Sequence, residues 1–87
     1  MAKFPRSYHL ADIPKGELGS ASKIYEECQE LKDSLKQNNP IMALNELADL
    51  YGTIDLFLHR QFPGLSMKDL ATMSDATKRA FNSGRRK

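Results

Sequence analysis

Residues 20–61 read SASKIYEECQELKDSLKQNNPIMALNELADLYGTIDLFLHRQ, and the fold follows from how this stretch is divided. Ala21, Ile24, Cys28, Leu31 and Leu35 recur at spacings of three and four, the period of one helix face. The spacing predicts a helix from about Ser20 to Lys36, with Ser20 or Ser22 as its cap. Gln37, Asn38 and Asn39 interrupt the pattern. Asn39-Pro40 then opens a second helix, with Asn39 as N-cap and Pro40 at the first helical position. It runs to about Gln61, carrying Ile41, Leu44, Ala48, Tyr51, Leu58 and Phe62 along one stripe. Leu50, Phe57 and Leu56 lie off that stripe. A helix apolar on more than one side is buried on more than one side, and a second subunit is expected to supply the extra cover.

A loop this short forces the two helices into an antiparallel hairpin. Reflection about Asn38 sets Glu30 opposite Glu46, each eight residues away, and Glu27 opposite Asp49, each eleven away. Within each helix Glu27 and Glu30, and Glu46 and Asp49, are three apart and share a face. The same reflection places Leu35 against Ile41 and Cys28 against Ala48. A single Glu-x-x-Glu is an ordinary solvated helix face. Two such pairs in mirror register put four carboxylates at one level, where burial and mutual repulsion call for a cation. Oxygen-only ligands favour a hard ion: Mg2+, with Mn2+ or Ca2+ as alternatives. A di-iron carboxylate centre would want Glu-x-x-His pairs, and neither His9 nor His59 has that spacing.

Outward from the hairpin the chain is simple. Residues 1–19 hold Pro5, Pro14, Gly16 and Gly19 with no sustained period and read as an arm and loop. Phe62-Pro63-Gly64 ends the second helix. Ser66 and Asp69 then form a variant capping box for a third helix carrying Met67, Leu70, Met73, Thr77, Ala80 and Phe81, with Gly84 as its stop. The expectation is one all-α domain over residues 20–84, a helix hairpin plus a third helix, completed into a bundle by oligomerisation. Residues 85–87 form a basic tail. Eighty-seven residues bury too little surface for comfort, and a single cysteine offers no disulfide. That cysteine, with no signal peptide or apolar span, points to a cytoplasmic protein and away from the membrane.

The pattern Glu26-Glu27-x-x-Glu30, a spacer of fifteen residues, then Glu46-x-x-Asp49 resembles the signature of the MazG-like all-α nucleotide pyrophosphohydrolases. That superfamily includes dimeric dUTPases, dCTP pyrophosphatases and phosphoribosyl-ATP pyrophosphohydrolases. The similarity runs from about Gly19 through the second helix, and the chain's end resembles the very short, phage-type members, which would place it in a host cytoplasm. The resemblance implies that Glu27, Glu30, Glu46 and Asp49 hold Mg2+, with Glu26 serving a second ion or positioning water. It implies cleavage of a nucleoside triphosphate at the α-phosphorus to a monophosphate and pyrophosphate, by a homodimer or homotetramer. The chain departs from larger relatives in lacking the C-terminal elements that help form base pockets.

The remaining residues carry two readings each. Lys23, one turn before Glu27, touches substrate phosphate or offsets the acids. Lys78, Arg79 and Asn82 bind phosphate or lie on a solvated helix end, and Arg85, Arg86 and Lys87 read as tail. Asp55 extends the site or makes an ion pair, for instance with Lys23. Tyr25 and Phe57 stack on a base or pack in core or interface, and the methionines read as core filler. His59 reads as a surface or interface residue. Lys3, Arg6 and His9 cover a neighbouring subunit's site or form a loose arm. The alternative to an enzyme is a helical protein that binds metal or a basic partner without turnover. A nucleic-acid module on the basic tail is disfavoured, because the acidic middle repels a phosphate backbone.

Overall fold

The computed structural model describes residues 9–82, which form three helices and no strand. Lys3, Arg6, the Gly84 stop and the tail at 85–87 lie outside the described residues. Helix α1 spans Ala21–Lys36, α2 Pro40–Gln61 and α3 Met67–Asn82. The main packing is α1 against α2, the antiparallel hairpin that the short loop demanded. None of the described helices is long and apolar enough to cross a membrane.

The turn is built from local chemistry. Asn38 takes a left-handed conformation (φ 56°), which Asn tolerates better than most residues. The Asn39 main-chain N–H returns to the Ser34 carbonyl at 3.1 Å. The Asn39 side chain accepts the Met42 N–H at 3.0 Å, so the expected cap is formed. Asp69 accepts both the Ser66 N–H, at 2.8 Å, and the Ser66 hydroxyl, at 3.1 Å, as the start of α3 anticipated. The α1 cap is different. Ser20 stands at the N-cap but makes no side-chain capping bond. Its hydroxyl donates to the Glu17 carbonyl, and Ser22 accepts the Glu17 N–H, so these serines brace the preceding loop instead.

Which faces meet differs from the sequence reading. Leu35 and Ile41 are 62% and 74% exposed, and Cys28 and Ala48 are exposed too. The apolar mirror pairs therefore do not pack within the hairpin. The seam runs instead through Glu27 and Ser34 of α1, and through Ala43, Glu46 and Thr53 of α2, all buried. Small side chains let the backbones approach: Ser34 is fully buried and folds its hydroxyl back onto the Glu30 carbonyl. Met42 and Leu58 close the core, with Ile24, Leu31, Leu50 and Phe57 half-buried. Phe57 meets the ring of Phe62 edge-on. Along α2, Ile41, Leu44 and Tyr51 share one helix face and are exposed, with Ile41 at the edge of the cleft between the helices. Helix α3 buries no residue, and Met73, expected as core filler, is 61% exposed.

The described part of the arm is packed along α1. Gly16 lies so close that a Cβ there would stand 2.3 Å from the Ser22 carbonyl oxygen, so only glycine fits. Gly19 has φ +86°, again glycine territory, and its carbonyl accepts from Gln61 at the far end of α2. Arg60 reaches the Leu18 carbonyl beside it. These contacts pin the arm to both helices.

Candidate metal centre

Helical spacing puts Glu26, Glu27 and Glu30 on α1 and Glu46 and Asp49 on α2. The antiparallel turn brings them to one cleft of about 630 Å³ between the helices. Glu27, Glu46 and Asp49 each offer an oxygen to a single point, these atoms lying within 4.8 Å of one another. Glu26, Glu27 and Glu30 form a second such group along α1. The reflection about Asn38 thus brings these acids to one cleft; of the apolar residues reflected with them, Ile41 and Ala48 line the exposed wall of that cleft and do not meet Leu35 and Cys28 in the seam.

Glu27 and Glu46 are buried, at 5% and 6% exposure. One oxygen of each, Oε1 in both cases, is enclosed without a hydrogen-bond partner. Enclosed carboxylate oxygens without donors are costly, and a cation is the group that would satisfy them. The charges respond accordingly. Burial, reinforced by Glu30 and Asp49, pushes the Glu27 carboxyl up to about 7. Burial and the neighbouring Glu46 do the same to Glu30, also to about 7. Burial raises Glu46 as well, against the opposing pull of His9. The cluster resists full ionisation, as like charges in one enclosure must. The donor set is all oxygen and fits Mg2+ or Mn2+.

Glu26 is placed differently. Its Oε1 accepts the Gly16 N–H at 2.7 Å and the Lys23 ammonium at 3.1 Å. Burial alone would raise its carboxyl, but these two donors hold it below the ordinary value. Lys23 also stands 3.7 Å from Glu27. The expected offsetting role of Lys23 is therefore realised, and its partners are Glu26 and Glu27, not Asp55, which is exposed on α2. Lys78, Arg79 and Asn82 are exposed on α3 and do not line the cleft within this chain. Tyr25 is 64% exposed and His59 is exposed.

Three contributors, Lys15, Asn45 and Asp33, are not among the site residues expected from the sequence, and a fourth, His9, is expected there to cover a neighbouring subunit's site or to form a loose arm. Lys15 and Asn45 line the cleft beside the acids. His9 is neither loose nor turned to a neighbour. Its Nδ1 lies 2.8 Å from Asp33 Oδ2 and its Nε2 3.1 Å from Glu46 Oε2. Asp33 is buried and also accepts the Leu10 N–H and the Gln37 side-chain amide. The available signal was Asp33, which continues the Glu27–Glu30 ladder one step further at the same spacing of three. His9 has no local periodicity to betray it, because its partners are 24 and 37 residues away. Comparison of the chain with family models, with curated proteins and with solved structures returns no match.

Proposed function

We propose that the chain is a metal-dependent nucleotide pyrophosphohydrolase of the MazG-like kind, cleaving a nucleoside triphosphate to a monophosphate and pyrophosphate. The observation that carries this reading is the Glu27, Glu46 and Asp49 group, with two enclosed oxygens lacking donors on Glu27 and Glu46 and an exposed Asp49, lining a cleft large enough for part of a nucleotide. Glu27, Glu30, Glu46 and Asp49 would hold Mg2+, or Mn2+ in its place. Such an ion supplies neutralisation of phosphate charge and a lowered pKa for water. Lys15 and Lys23, on the cleft wall, face the incoming phosphates. Glu26 and Glu27 position the attacking water and take its proton. Oxygen adds to the α-phosphorus, the bond to the bridging oxygen breaks, and pyrophosphate leaves.

The same reading assigns the exposed face of Ile41, Leu44 and Tyr51 to a second copy of the chain, giving a dimer or a pair of dimers. Lys78, Arg79 and Asn82 do not line the acid cleft of their own chain and would meet its phosphates in such an assembly.

The test is direct. The chain is incubated with each NTP and dNTP plus Mg2+ or Mn2+, and monophosphate and pyrophosphate are quantified. Glu27→Gln should abolish product while preserving helical circular dichroism. No product from any substrate, with metal binding intact, would favour a metal-binding protein without turnover.

A further inference from the structure

The acid-only group is not the whole of the centre. His9, Glu30 and Glu46 also converge, one ligand atom of each lying within 4.8 Å of the others. The His9 side chain is buried, at 7% exposure, and that of Glu46 is at 8%. Glu46 turns one oxygen to His9 and keeps the other enclosed with no donor. Glu30 stands in both the His9 group and the α1 acid group, and Glu46 in both the His9 group and the cross-hairpin group.

The ring is oriented by Asp33. Three donors converge on Asp33 Oδ2: His9 Nδ1 at 2.8 Å, the Leu10 N–H at 3.1 Å and the Gln37 amide at 2.7 Å. An acceptor of this kind holds a proton on Nδ1, so Nε2, which in the metal-free chain hydrogen-bonds Glu46, is the nitrogen that would give up its proton to an ion. The order carboxylate, imidazole, ion is the arrangement in which an outer carboxylate fixes the tautomer of a metal-binding histidine. The spacing is right as well. A nitrogen and an oxygen each about 2.1 Å from one ion, at a right angle, stand about 3.0 Å apart. Nε2 and Glu46 Oε2, hydrogen-bonded at 3.1 Å in the metal-free chain, are already at that separation, so an ion could replace the shared proton with little movement of either group.

We infer that His9, Glu30 and Glu46 form a second, nitrogen-containing metal position beside the carboxylate-only one, with Glu30 and Glu46 as the carboxylates common to both. An imidazole ligand shifts preference from Mg2+ toward Mn2+, Co2+ or Zn2+. The centre is thus a two-position site with unlike halves, the second completed by the arm. The inference concerns metal binding and does not depend on turnover.

The experiment uses the full-length, tag-free chain loaded with Mn2+ and read by electron spin echo spectroscopy, which detects a directly bound imidazole nitrogen. The chain has two histidines, so the assignment is closed by two variants. Nitrogen modulation is expected in the wild type and in His59→Ala, and its loss in His9→Gln. By calorimetry, His9→Gln should weaken Co2+ binding at least tenfold while changing Mg2+ binding less than threefold. Asp33→Asn should weaken Co2+ about tenfold, the scale of an outer-ligand change, and keep the nitrogen signal. Mn2+ bound with no nitrogen modulation in the wild type overturns this inference and leaves the carboxylate site standing. So does a signal that survives His9→Gln and vanishes in His59→Ala. Failure to bind any divalent ion overturns both.

Discussion

Replacing Glu27 by Gln should make the metal-free protein more stable and the metal-loaded protein less so. The Glu27 carboxyl is lifted from 4.5 to about 7 by burial, with Glu30 and Asp49 adding to it. Each unit corresponds to about 1.4 kcal/mol, so keeping the group ionised at pH 8 costs at most about 3 kcal/mol. The cleft is open on one side, and screening there reduces the cost to about half. Glutamine keeps the shape and removes the charge. It forfeits the 3.7 Å contact with Lys23, worth less than about 1 kcal/mol. A net gain of about 1 kcal/mol remains, or a rise of about 4–8 °C in midpoint for a domain of this size.

The assay is thermal unfolding by circular dichroism at pH 8 and fixed protein concentration, in chelator and then in excess Mg2+. An ion at a hundred times its dissociation constant adds about 2.7 kcal/mol to the wild type. The variant has lost a ligand from the centre of the cluster and should gain little. The two proteins therefore exchange order between the conditions. A variant less stable than wild type in chelator refutes the electrostatic account of the cluster. An equal gain from Mg2+ in both proteins refutes Glu27 as a ligand.

Three further outcomes are expected. Because Glu27 and Glu30 carry raised values, the folded metal-free chain binds protons that the unfolded chain releases. Their contribution is complete below pH 4.5 and is lost as pH rises through about 7; urea midpoints in chelator should fall over that window, and saturating Mg2+ should remove the decline. Leu44→Glu, on the exposed apolar face, should convert a dimer to monomer in sedimentation velocity, and a wild type that is already monomeric at tens of micromolar would refute the second-copy assignment. Asn39→Ala removes the acceptor of the Met42 N–H and should cost about 1 kcal/mol, read as a lower urea midpoint with an unchanged slope.

The helices were legible because their signals are local. Asn39 and Pro40 start α2, Ser66 and Asp69 start α3, and the period of three and four marks their lengths. The level of the acids was legible too, since reflection about a short turn fixes how far along each helix a residue stands. Reflection does not fix rotation about the helix axis. Leu35 and Ile41 do stand near the turn, but both are exposed, while the seam uses Ser34, Ala43 and Thr53. Small and polar residues on a close seam look unremarkable beside a stripe of Leu, Ile and Tyr. The same blindness to long-range contact hid His9 and the close approach of Gly16 to Ser22, neither of which leaves a periodic trace.

The exposed stripe and the buried acids are two sides of one choice. A lone hairpin that buried its apolar stripe in its own seam would turn Glu27 and Glu46 toward water, where four carboxylates are tolerable without an ion. This chain does the reverse, enclosing Glu27 and Glu46 and leaving Ile41, Leu44 and Tyr51 exposed. Both faces are costly in an isolated, metal-free molecule. A hydrophobic partner offsets one cost and a cation the other, and neither substitutes for the other: apolar cover cannot satisfy the Glu27 and Glu46 oxygens, and an ion cannot cover Leu44. Dimer formation and metal loading should accordingly each stabilise the chain. They couple through α2, which carries Leu44 on one side and Glu46 two residues on. Metal titrations performed on the Leu44→Glu variant would measure that coupling, with weaker binding than wild type expected where the two faces stabilise the same helix.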